Sequence, residues 1–334
     1  MNSFERYMGL LEGRKVDFLP RLPILMQFAA EYIGSNYGAF ASDYRTLVEA
    51  NAVCAADFGM DQVSVISDPF RETQGFGAEI IYVTDGVPRC PHSPLEASKD
   101  LDSLPHPDPL KAERMLDRVN AVRAFHEKYS GEYSILGWVE GPAAEAADLR
   151  GVSTYLIDLL DDPVFAAELM DRCIEAGIEF ARVQVEAGAD TIGIGDAIAS
   201  QVSPQLYESL IQPREKVLVS AIKAIGARVR LHICGNTTHL LPGISELGID
   251  IMDVDHMVDM QTVRRTLGGG VTLAGNIDPA SAVRLGTPEA IRETILRTYQ
   301  EVGNPYMVTA GCEIPSGTPE ENLRALCEPV EYRP

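Results

Sequence analysis

The chain alternates short apolar runs with longer segments of helical periodicity. Eight runs of four to seven residues are rich in β-branched and apolar side chains, and we predict that they form strands. The predicted strands are Leu22–Met26, Gln62–Ile66, Tyr133–Val139, Thr191–Gly195, Arg228–Ile233, Ile249–Val254, Val271–Ala274 and Tyr306–Thr309.

Segments with helical periodicity separate these runs. The main ones are Ser42–Phe58, Pro109–Tyr129, Val152–Ala187 with a break at Asp161-Asp162-Pro163, and Pro204–Ile225. Eight strands that alternate with helices predict a parallel sheet closed into a single (β/α)8 TIM barrel. The alternative, an open doubly wound sheet, is disfavoured because no G-x-G-x-x-G sequence begins the first of these helices.

The predicted barrel occupies residues 1–334 as one domain, because no linker, repeat or low-complexity tract divides the chain. A short helical extension precedes the first strand. The segment Phe76–Pro88 is expected to form a hairpin insert, since Asp85-Gly86 follows a β-rich run and favours a tight turn.

Charge and hydropathy restrict the partners that we expect. The net charge of −21 excludes nucleic acid as an expected partner, because phosphate binding needs basic patches. No apolar run reaches the roughly 18 residues of a membrane span, and the N-terminus lacks the apolar core of a secretory signal. We therefore expect a cytoplasmic protein whose six cysteines form no disulfide framework.

Polar groups follow every predicted strand, at the end where barrel enzymes carry their chemistry. In chain order the ends carry Gln27, Ser67-Asp68, Glu140, Asp196, His232-x-Cys234, Asp253-x-Asp255-His256, Asn276-x-Asp278 and Cys312-Glu313. Loops are generally polar, but two thiols and one imidazole at a common rim indicate a specific site.

His232 and Cys234 face the same side of the fifth predicted strand because strand side chains alternate. Cys312 follows the eighth strand and can reach the same rim. Three ligands of these types with an open fourth position are typical of catalytic zinc. A buried, hydrogen-bonded strand pair and an inert loop thiol are the alternative, and His256 is a further candidate ligand.

The remaining polar strand ends supply candidate catalytic and substrate-binding groups. We predict that Asp196, Asp255 and Glu140 position the substrate, carry protons or orient the ligand histidine. Gln27, Asp68 and Asn276 are predicted to bind the substrate. For the carboxylates the alternative is a structural role in loop capping, and Asn276-Ile277-Asp278-Pro279 also has the pattern of a turn before a helix.

Several motifs resemble the uroporphyrinogen decarboxylase superfamily, and the resemblance covers nearly the whole chain. Arg6–Asp17 is similar to the family's start, and Gly275–Pro279 looks like its G-N-x-D-P motif. The sequence Asp196–Ser200 with Ser203-Pro204 resembles the corrinoid methyltransferase branch. His232-Ile-Cys234 together with Gly311-Cys312 looks like the H-x-C…C zinc motif of that branch.

The resemblance implies a zinc-dependent methyltransferase that moves a methyl group to or from the corrinoid of a separate protein. We favour an O-demethylase component acting on a methoxylated aromatic. The close alternative is a methylcobamide:thiol methyltransferase of the coenzyme M type. The chain has no D-x-H-x-x-G corrinoid motif of its own, so the cobalamin is expected on the partner.

A decarboxylase is the second alternative, and a non-catalytic zinc- or corrinoid-binding protein is the third. The decarboxylases of this family carry an R-Q-A-G-R stretch that holds substrate carboxylates. Here the corresponding region, Gln27–Glu31, contains no arginine. This departure disfavours uroporphyrinogen as the substrate.

Overall fold

The computed structural model describes all residues from 1 to 334. Seven parallel strands form one curled sheet in sequential order, β1 to β7. The strands are β1 (Gln62–Ser64), β2 (Ser134–Glu140), β3 (Thr191–Gly195), β4 (Arg228–His232), β5 (Ile251–Val254), β6 (Thr272–Gly275) and β7 (Tyr306–Met307). The second to eighth predicted strands are therefore present, and all but Thr191–Gly195 have shifted ends.

The helices that connect and flank the strands begin with α1 (Ser3–Leu11), ahead of the sheet. The others are α2 (Gln27–Tyr32), α3 (Tyr37–Ser42), α4 (Tyr44–Phe58), α5 (Phe70–Gly75), α6 (Glu113–Tyr129), α7 (Pro142–Arg150), α8 (Val152–Asp161), α9 (Pro163–Ala187), α10 (Pro204–Leu206), α11 (Gln212–Ala224), α12 (Leu241–Ile244), α13 (Met260–Leu267), α14 (Pro288–Val302) and α15 (Glu320–Leu326). Single π-helical turns occupy Tyr207–Ile211 and Pro279–Arg284.

The predicted first strand, Leu22–Met26, is not formed as a strand. One isolated parallel bridge joins Arg21 to Val308, and the backbone oxygen of Arg21 accepts a hydrogen bond from the backbone N–H of Asp61 at 2.9 Å. The physical reason is that Pro20 and Pro23 have no N–H to donate to a ladder. The segment thus contacts the chain beyond β7 and the chain before β1 without adding an eighth strand.

The predicted hairpin insert is likewise reduced to a single bridge. Ile81 and Arg89 exchange two backbone hydrogen bonds of 2.8 and 2.9 Å, and no strand extends from them. Pro88 interrupts the pairing because it lacks a backbone donor.

A cluster of 83 buried apolar residues extends from Leu19 to Cys327 and fills the space between the sheet and the helices. A second, smaller cluster of seven residues lies where Tyr7 and Leu10 of α1 meet Ile251, Ala274 and Met307. None of the helices combines the length and apolar character needed to cross a bilayer.

Candidate active site

The register of the sheet places four site residues side by side. Glu140 of β2 pairs with Gly195 of β3, Gly195 pairs with His232 of β4, and His232 pairs with Asp253 of β5. All four lie near the carboxyl ends of their strands. The row therefore brings a carboxylate, an imidazole and a second carboxylate to one end of the sheet.

Glycine in β3 makes room for the one tryptophan of the chain. A Cβ atom on Gly193 would lie 2.2 Å from the Trp138 ring, and one on Gly195 would lie 3.2 Å from it. Trp138 and Glu140 point to the same side of β2 because side chains alternate along a strand. The T-I-G-I-G sequence of β3 thus lets an indole lie across the sheet, with its ring centroid 6.1 Å from that of His232.

The three predicted metal ligands converge beside this indole. Nε2 of His232 lies 3.1 Å from Sγ of Cys234 and 3.8 Å from Sγ of Cys312, and the two Sγ atoms are 3.7 Å apart. Cys312 reaches the group because Gly311 can pass close to the β5 loop, where a Cβ atom would lie 2.5 Å from the backbone nitrogen of His256.

The sulfur–sulfur separation of 3.7 Å matches the edge of a coordination tetrahedron. Metal–sulfur bonds of about 2.3 Å imply sulfur–sulfur edges of about 3.8 Å in a tetrahedral zinc site. All three ligand atoms lie within 4.8 Å of one another, so one ion can contact them together. His232 is 93% buried while the two cysteines are half-buried, so the open side of the group faces the pocket.

Asp253 orients the imidazole from behind. Its Oδ2 lies 3.2 Å from Nδ1 of His232, and its two oxygens accept Nε–H of Arg230 at 2.9 and 2.8 Å. Arg230 also donates to Gln62 Oε1 at 2.6 Å. Although burial opposes protonation, the contacts with Asp253 and Cys312 raise the pKa of His232 to about 10. Because Nδ1 contacts Asp253, the opposite ring nitrogen, Nε2, is directed at the thiols.

The electrostatics of the group favour a thiolate on Cys312. A hydrogen bond from Cys234 lowers the pKa of the Cys312 thiol to about 4 against the effect of burial, with a further contribution from His232. The same hydrogen bond raises the pKa of Cys234, so one proton is held between the two sulfurs. Deprotonated sulfur is the form that binds metals.

A cavity of about 180 Å³ opens in front of these ligands. Its apolar wall includes Ile24, Met26, Ile66 and Trp138. Its polar wall contains three carboxyl groups, those of Asp68, Glu140 and Glu313, besides the three ligand residues.

Two buried guanidinium groups support this wall. Arg114 forms a two-pronged ion pair with Asp68, with both N–O distances at 2.6 Å. Arg71 donates to Glu140 Oε1 and to the backbone oxygen of Asp68. Burial raises the pKa of Glu140 above its usual range despite Arg71, whereas Arg114 holds the pKa of Asp68 well below its ordinary value although burial opposes this.

Asp196, predicted to be catalytic, does not line the cavity. Its side chain is fully buried and accepts backbone N–H groups of Ala143 at 3.3 Å and Ala144 at 2.7 Å, at the start of α7. The preceding Gly141 has no side chain to cap this helix, so Asp196 caps it from the neighbouring strand.

The other predicted residues lie around the rim. Asp255 accepts N–H groups of Gly235 and Met257, both at 2.9 Å, and so ties the β4 and β5 loops together. Asn276 donates to the backbone oxygens of Asp255 at 3.2 Å and Val258 at 2.7 Å. Neither residue lines the cavity.

Gln27 begins α2 beside the cavity. Its backbone N–H donates to Glu313 Oε1 at 3.0 Å, and its side chain turns outward to Glu31 at 2.9 Å. Sequence reasoning assigned no role to Glu313 or to Asp253, although both stand at strand ends. Their positions in the sequence could have indicated them, because Glu313 immediately follows Cys312 and Asp253 lies two residues before Asp255.

Residues 2–332 match the family described as uroporphyrinogen decarboxylase (URO-D). The chain belongs to this family. Methylcobamide:CoM methyltransferase MtbA of Methanosarcina acetivorans is 32% identical over 338 residues, covering 97% of this chain and 96% of the relative. The prediction of a methyltransferase of this family is confirmed by such relatives.

Other relatives show how wide the family is. Uroporphyrinogen decarboxylase of Nostoc punctiforme is 30% identical over 280 residues, covering 81% of this chain and 78% of that enzyme. Among solved structures, a methyltransferase from Methanosarcina mazei superposes with a TM-score of 0.86 at 23% identity, covering 98% of this chain and 97% of the other. This last likeness shows a common fold.

Proposed function

We propose that the protein is a zinc-dependent methyltransferase that transfers a methyl group from the corrinoid of a partner protein to a small thiol. The observation that carries the proposal is the convergence of His232 Nε2, Cys234 Sγ and Cys312 Sγ at the wall of a small cavity. Three protein ligands and one open position are the arrangement of catalytic zinc rather than structural zinc.

The donor set selects the metal. Two thiolates and one imidazole suit zinc, whereas magnesium and calcium prefer oxygen ligands. His232, Cys234 and Cys312 would hold the ion, and Asp253 would keep the imidazole oriented. When bound, the ion would supply Lewis acidity that lowers the pKa of a thiol in the cavity.

The protein's own groups prepare the thiol for attack. Trp138 and the apolar wall would exclude water from a bound thiol, so that its sulfur would be poorly solvated and more nucleophilic. Glu140 lines the cavity and would position the thiol or receive its proton. The thiol loses its proton, its sulfur bonds to the methyl carbon, and the cobalt–carbon bond breaks with its electron pair left on cobalt.

The thiol substrate is favoured over a methoxylated aromatic by the relatives. The sequence led us to expect an O-demethylase, yet the methyltransferases among the curated relatives, at 30%, 32% and 26% identity, are named for methylcobamide and CoM. These names supply both parts of the proposal, a corrinoid donor on another protein and a thiol acceptor.

A decarboxylase is the weaker candidate. Several relatives are uroporphyrinogen decarboxylases, but their polycarboxylate substrate needs cations. No lysine or arginine lines the cavity of this chain. Two thiols at its wall would also have no part in decarboxylation.

The other predicted residues take supporting roles in the proposal. Asp196 would fix the start of α7, and Asp255 and Asn276 would fix the loops after β4, β5 and β6. Asp68 would hold the wall through Arg114, and Gln27 would hold Glu313. We also propose that residues 1–334 act as one domain, because the family match extends from residue 2 to residue 332.

The test uses purified protein, free methylcobalamin as the donor, and either 2-mercaptoethanol or 2-mercaptoethanesulfonate as the acceptor. We expect methylcobalamin to be consumed and the thioether to appear only when a thiol is present, and both to stop in Cys234→Ala. A second reaction offers methoxybenzene and cob(I)alamin. Demethylation there without thiol methylation would replace the proposal with the O-demethylase.

A further inference from the structure

The apolar wall of the cavity extends from its deep end to its mouth. The wall consists of Ile24, Met26, Ile66, Pro69, Trp138 and Ala197. Ile24 and Trp138 are buried and form the deep end, whereas Met26, Ile66 and Pro69 are half-buried and lie nearer the mouth. A ligand whose sulfur reaches the metal ligands can therefore contact carbon along the rest of its length.

The polar wall offers few groups to such a ligand. The side chain of Asp68 has no exposed surface and already accepts both prongs of Arg114 at 2.6 Å. The side chain of Glu140 is only 9% exposed and is held by a buried arginine. Glu313 is half-buried and accepts the backbone N–H of Gln27 at 3.0 Å. Polar surface is thus confined to the edge beside the start of α2, and no lysine or arginine lines the cavity.

The volume of the cavity limits the length of the ligand. The cavity measures about 180 Å³, and an apolar cavity of about 150 Å³ is large enough to hold benzene. A tail of about four to six carbon atoms can therefore fill the space in front of the metal ligands.

We infer that the acceptor of the proposed methyl transfer is a thiol with a short apolar tail, and that the apolar wall, with Met26 near its mouth, selects this tail. The inference rests on the proposed function and narrows its substrate class. Each methylene group that leaves water for the wall favours binding. A hydroxyl or sulfonate group there would lose hydrogen bonds to water that carbon cannot replace.

The first experiment measures a series of straight-chain alkanethiols, from ethanethiol to 1-octanethiol, with methylcobalamin as the donor. The reacting group is the same in every member, so only the tail differs. We expect kcat/KM to rise about three- to fourfold per methylene up to 1-butanethiol, and to level off once the tail reaches the mouth. A series with no rise overturns the inference while leaving the proposed function intact.

The second experiment compares tails of different polarity. The thiols 1-butanethiol and 3-mercaptopropan-1-ol have equal numbers of non-hydrogen atoms, and 2-mercaptoethanesulfonate adds a charged tail. We expect kcat/KM for 1-butanethiol to be roughly tenfold above that for the alcohol and further above that for the sulfonate. Equal or better use of either polar thiol overturns the inference.

The third experiment changes the polarity of the wall. Met26 lines the cavity, and its sulfur lies 3.7 Å from the hydroxyl group of Tyr37. In Met26→Gln the side chain keeps a similar length but becomes polar, so the ratio of kcat/KM for 1-butanethiol over 3-mercaptopropan-1-ol should fall about threefold or more. Comparing ratios cancels differences in thiol reactivity and in the amount of active protein.

Two variants serve as controls for this change. Met26→Leu keeps the wall apolar and should leave the ratio unchanged. Leu160→Gln makes the same kind of change on α8 outside the cavity, where Leu160 is 68% exposed, and should also leave it unchanged. An unchanged ratio in Met26→Gln, with metal content and melting temperature equal to wild type, overturns the inference.

The fourth readout needs no turnover. Trp138 is the only tryptophan of the chain and lines the cavity, so its fluorescence reports ligand binding. We expect butyl methyl sulfide to bind more tightly than 3-(methylthio)propan-1-ol or 2-(methylthio)ethanesulfonate. Tighter binding of either polar thioether would overturn the inference. If no thiol is methylated, the proposed function fails, and this binding order still decides whether the cavity prefers an apolar tail.

Discussion

Nδ1 of His232 lies 3.2 Å from Oδ2 of Asp253, on the side of the ring opposite the two thiols. The contact crosses from β4 to β5 between residues paired in the sheet. It ties the predicted metal site to a buried ion pair, because the same carboxylate accepts Arg230. The ligand geometry and the stability of the sheet therefore share one residue.

This relationship predicts the behaviour of Asp253→Asn. The neutral amide is a weaker acceptor than the carboxylate and orients His232 less firmly, so metal affinity should fall about 10- to 100-fold. Arg230 is left buried without its partner, which should lower the free energy of unfolding by about 3–5 kcal/mol. Chelator competition and urea denaturation measure the two effects.

The matched control is Asp250→Asn, because Asp250 immediately precedes β5 at the end of the strand opposite Asp253. Asp250 accepts the N–H of Val229 at 2.9 Å and lies beside Lys223 and Arg228. It therefore stands at the amino end of the strand, whereas the predicted ligands lie at the carboxyl ends. Its loss should leave metal affinity unchanged. An equal loss of affinity in both variants would mean that Asp253 acts through general stability and not through His232.

Metal content gives the most direct test of the ligand set. Purified protein should contain about one zinc per chain, and Cys234→Ala and Cys312→Ala should each lose it, because two ligands hold zinc poorly. Cys90→Ala is the control, since Cys90 lies in a loop and its Sγ contacts only the backbone oxygen of His92 at 3.3 Å. Metal retained in both variants would exclude Cys234 and Cys312 as zinc ligands.

The ion pair between Asp68 and Arg114 predicts a pH-dependent stability. Both groups are buried, so Asp68→Asn should lower the free energy of unfolding at pH 7 by about 3–5 kcal/mol. The pKa of Asp68 is lower in the folded chain than in the unfolded chain. Its contribution is therefore complete above about pH 4 and decreases as the pH falls below that value.

Urea denaturation at pH 7, 5 and 3 measures this difference between wild type and Asp68→Asn. Asp102→Asn is the control, because Asp102 is 93% exposed and lies 3.7 Å from Arg172; it should show no resolvable change. A destabilisation by Asp68→Asn that is as large at pH 3 as at pH 7 would contradict the charge-based account.

Gly141 provides a test of the cap on α7. A Cβ atom there would lie 2.4 Å from Cβ of Asp196, so Gly141→Ala should displace the carboxylate from Ala143 and Ala144. We expect a loss of about 1–3 kcal/mol in the free energy of unfolding. Gly269→Ala is the control, because nothing lies within 4 Å of its added carbon. Thermal melts that coincide for both variants would exclude this role of Asp196.

The sequence predicted most of the fold because the buried strands of a parallel sheet are apolar runs. Seven such runs became β1 to β7, and the helices around Ser42–Phe58 and Val152–Ala187 formed where expected, with the break at Asp162. The segment Leu22–Met26 had the right composition, but Pro20 and Pro23 removed donors that a ladder needs.

The candidate site was predictable as a set of ligands and not as a network. The H-x-C spacing, the position of Cys312 after a strand and the family resemblance together predicted three candidate ligands, and the structure brings these three side chains together. Which aspartate faces His232 depends on the register between β4 and β5, which one sequence does not contain. The pairing of Asp68 with Arg114 and of Glu140 with Arg71 depends on packing between distant segments, which periodicity cannot reveal.

The row of paired residues from Glu140 to Asp253 has a consequence for assembly of the sheet. A slip of one residue between β3 and β4 or between β4 and β5 would turn His232 to the opposite face, away from Cys312. Only the native alignment then offers three ligands to one ion. An ion that binds this arrangement and not the slipped ones would stabilise the correct alignment by mass action, so the proposed metal would also select the register of the sheet that holds it.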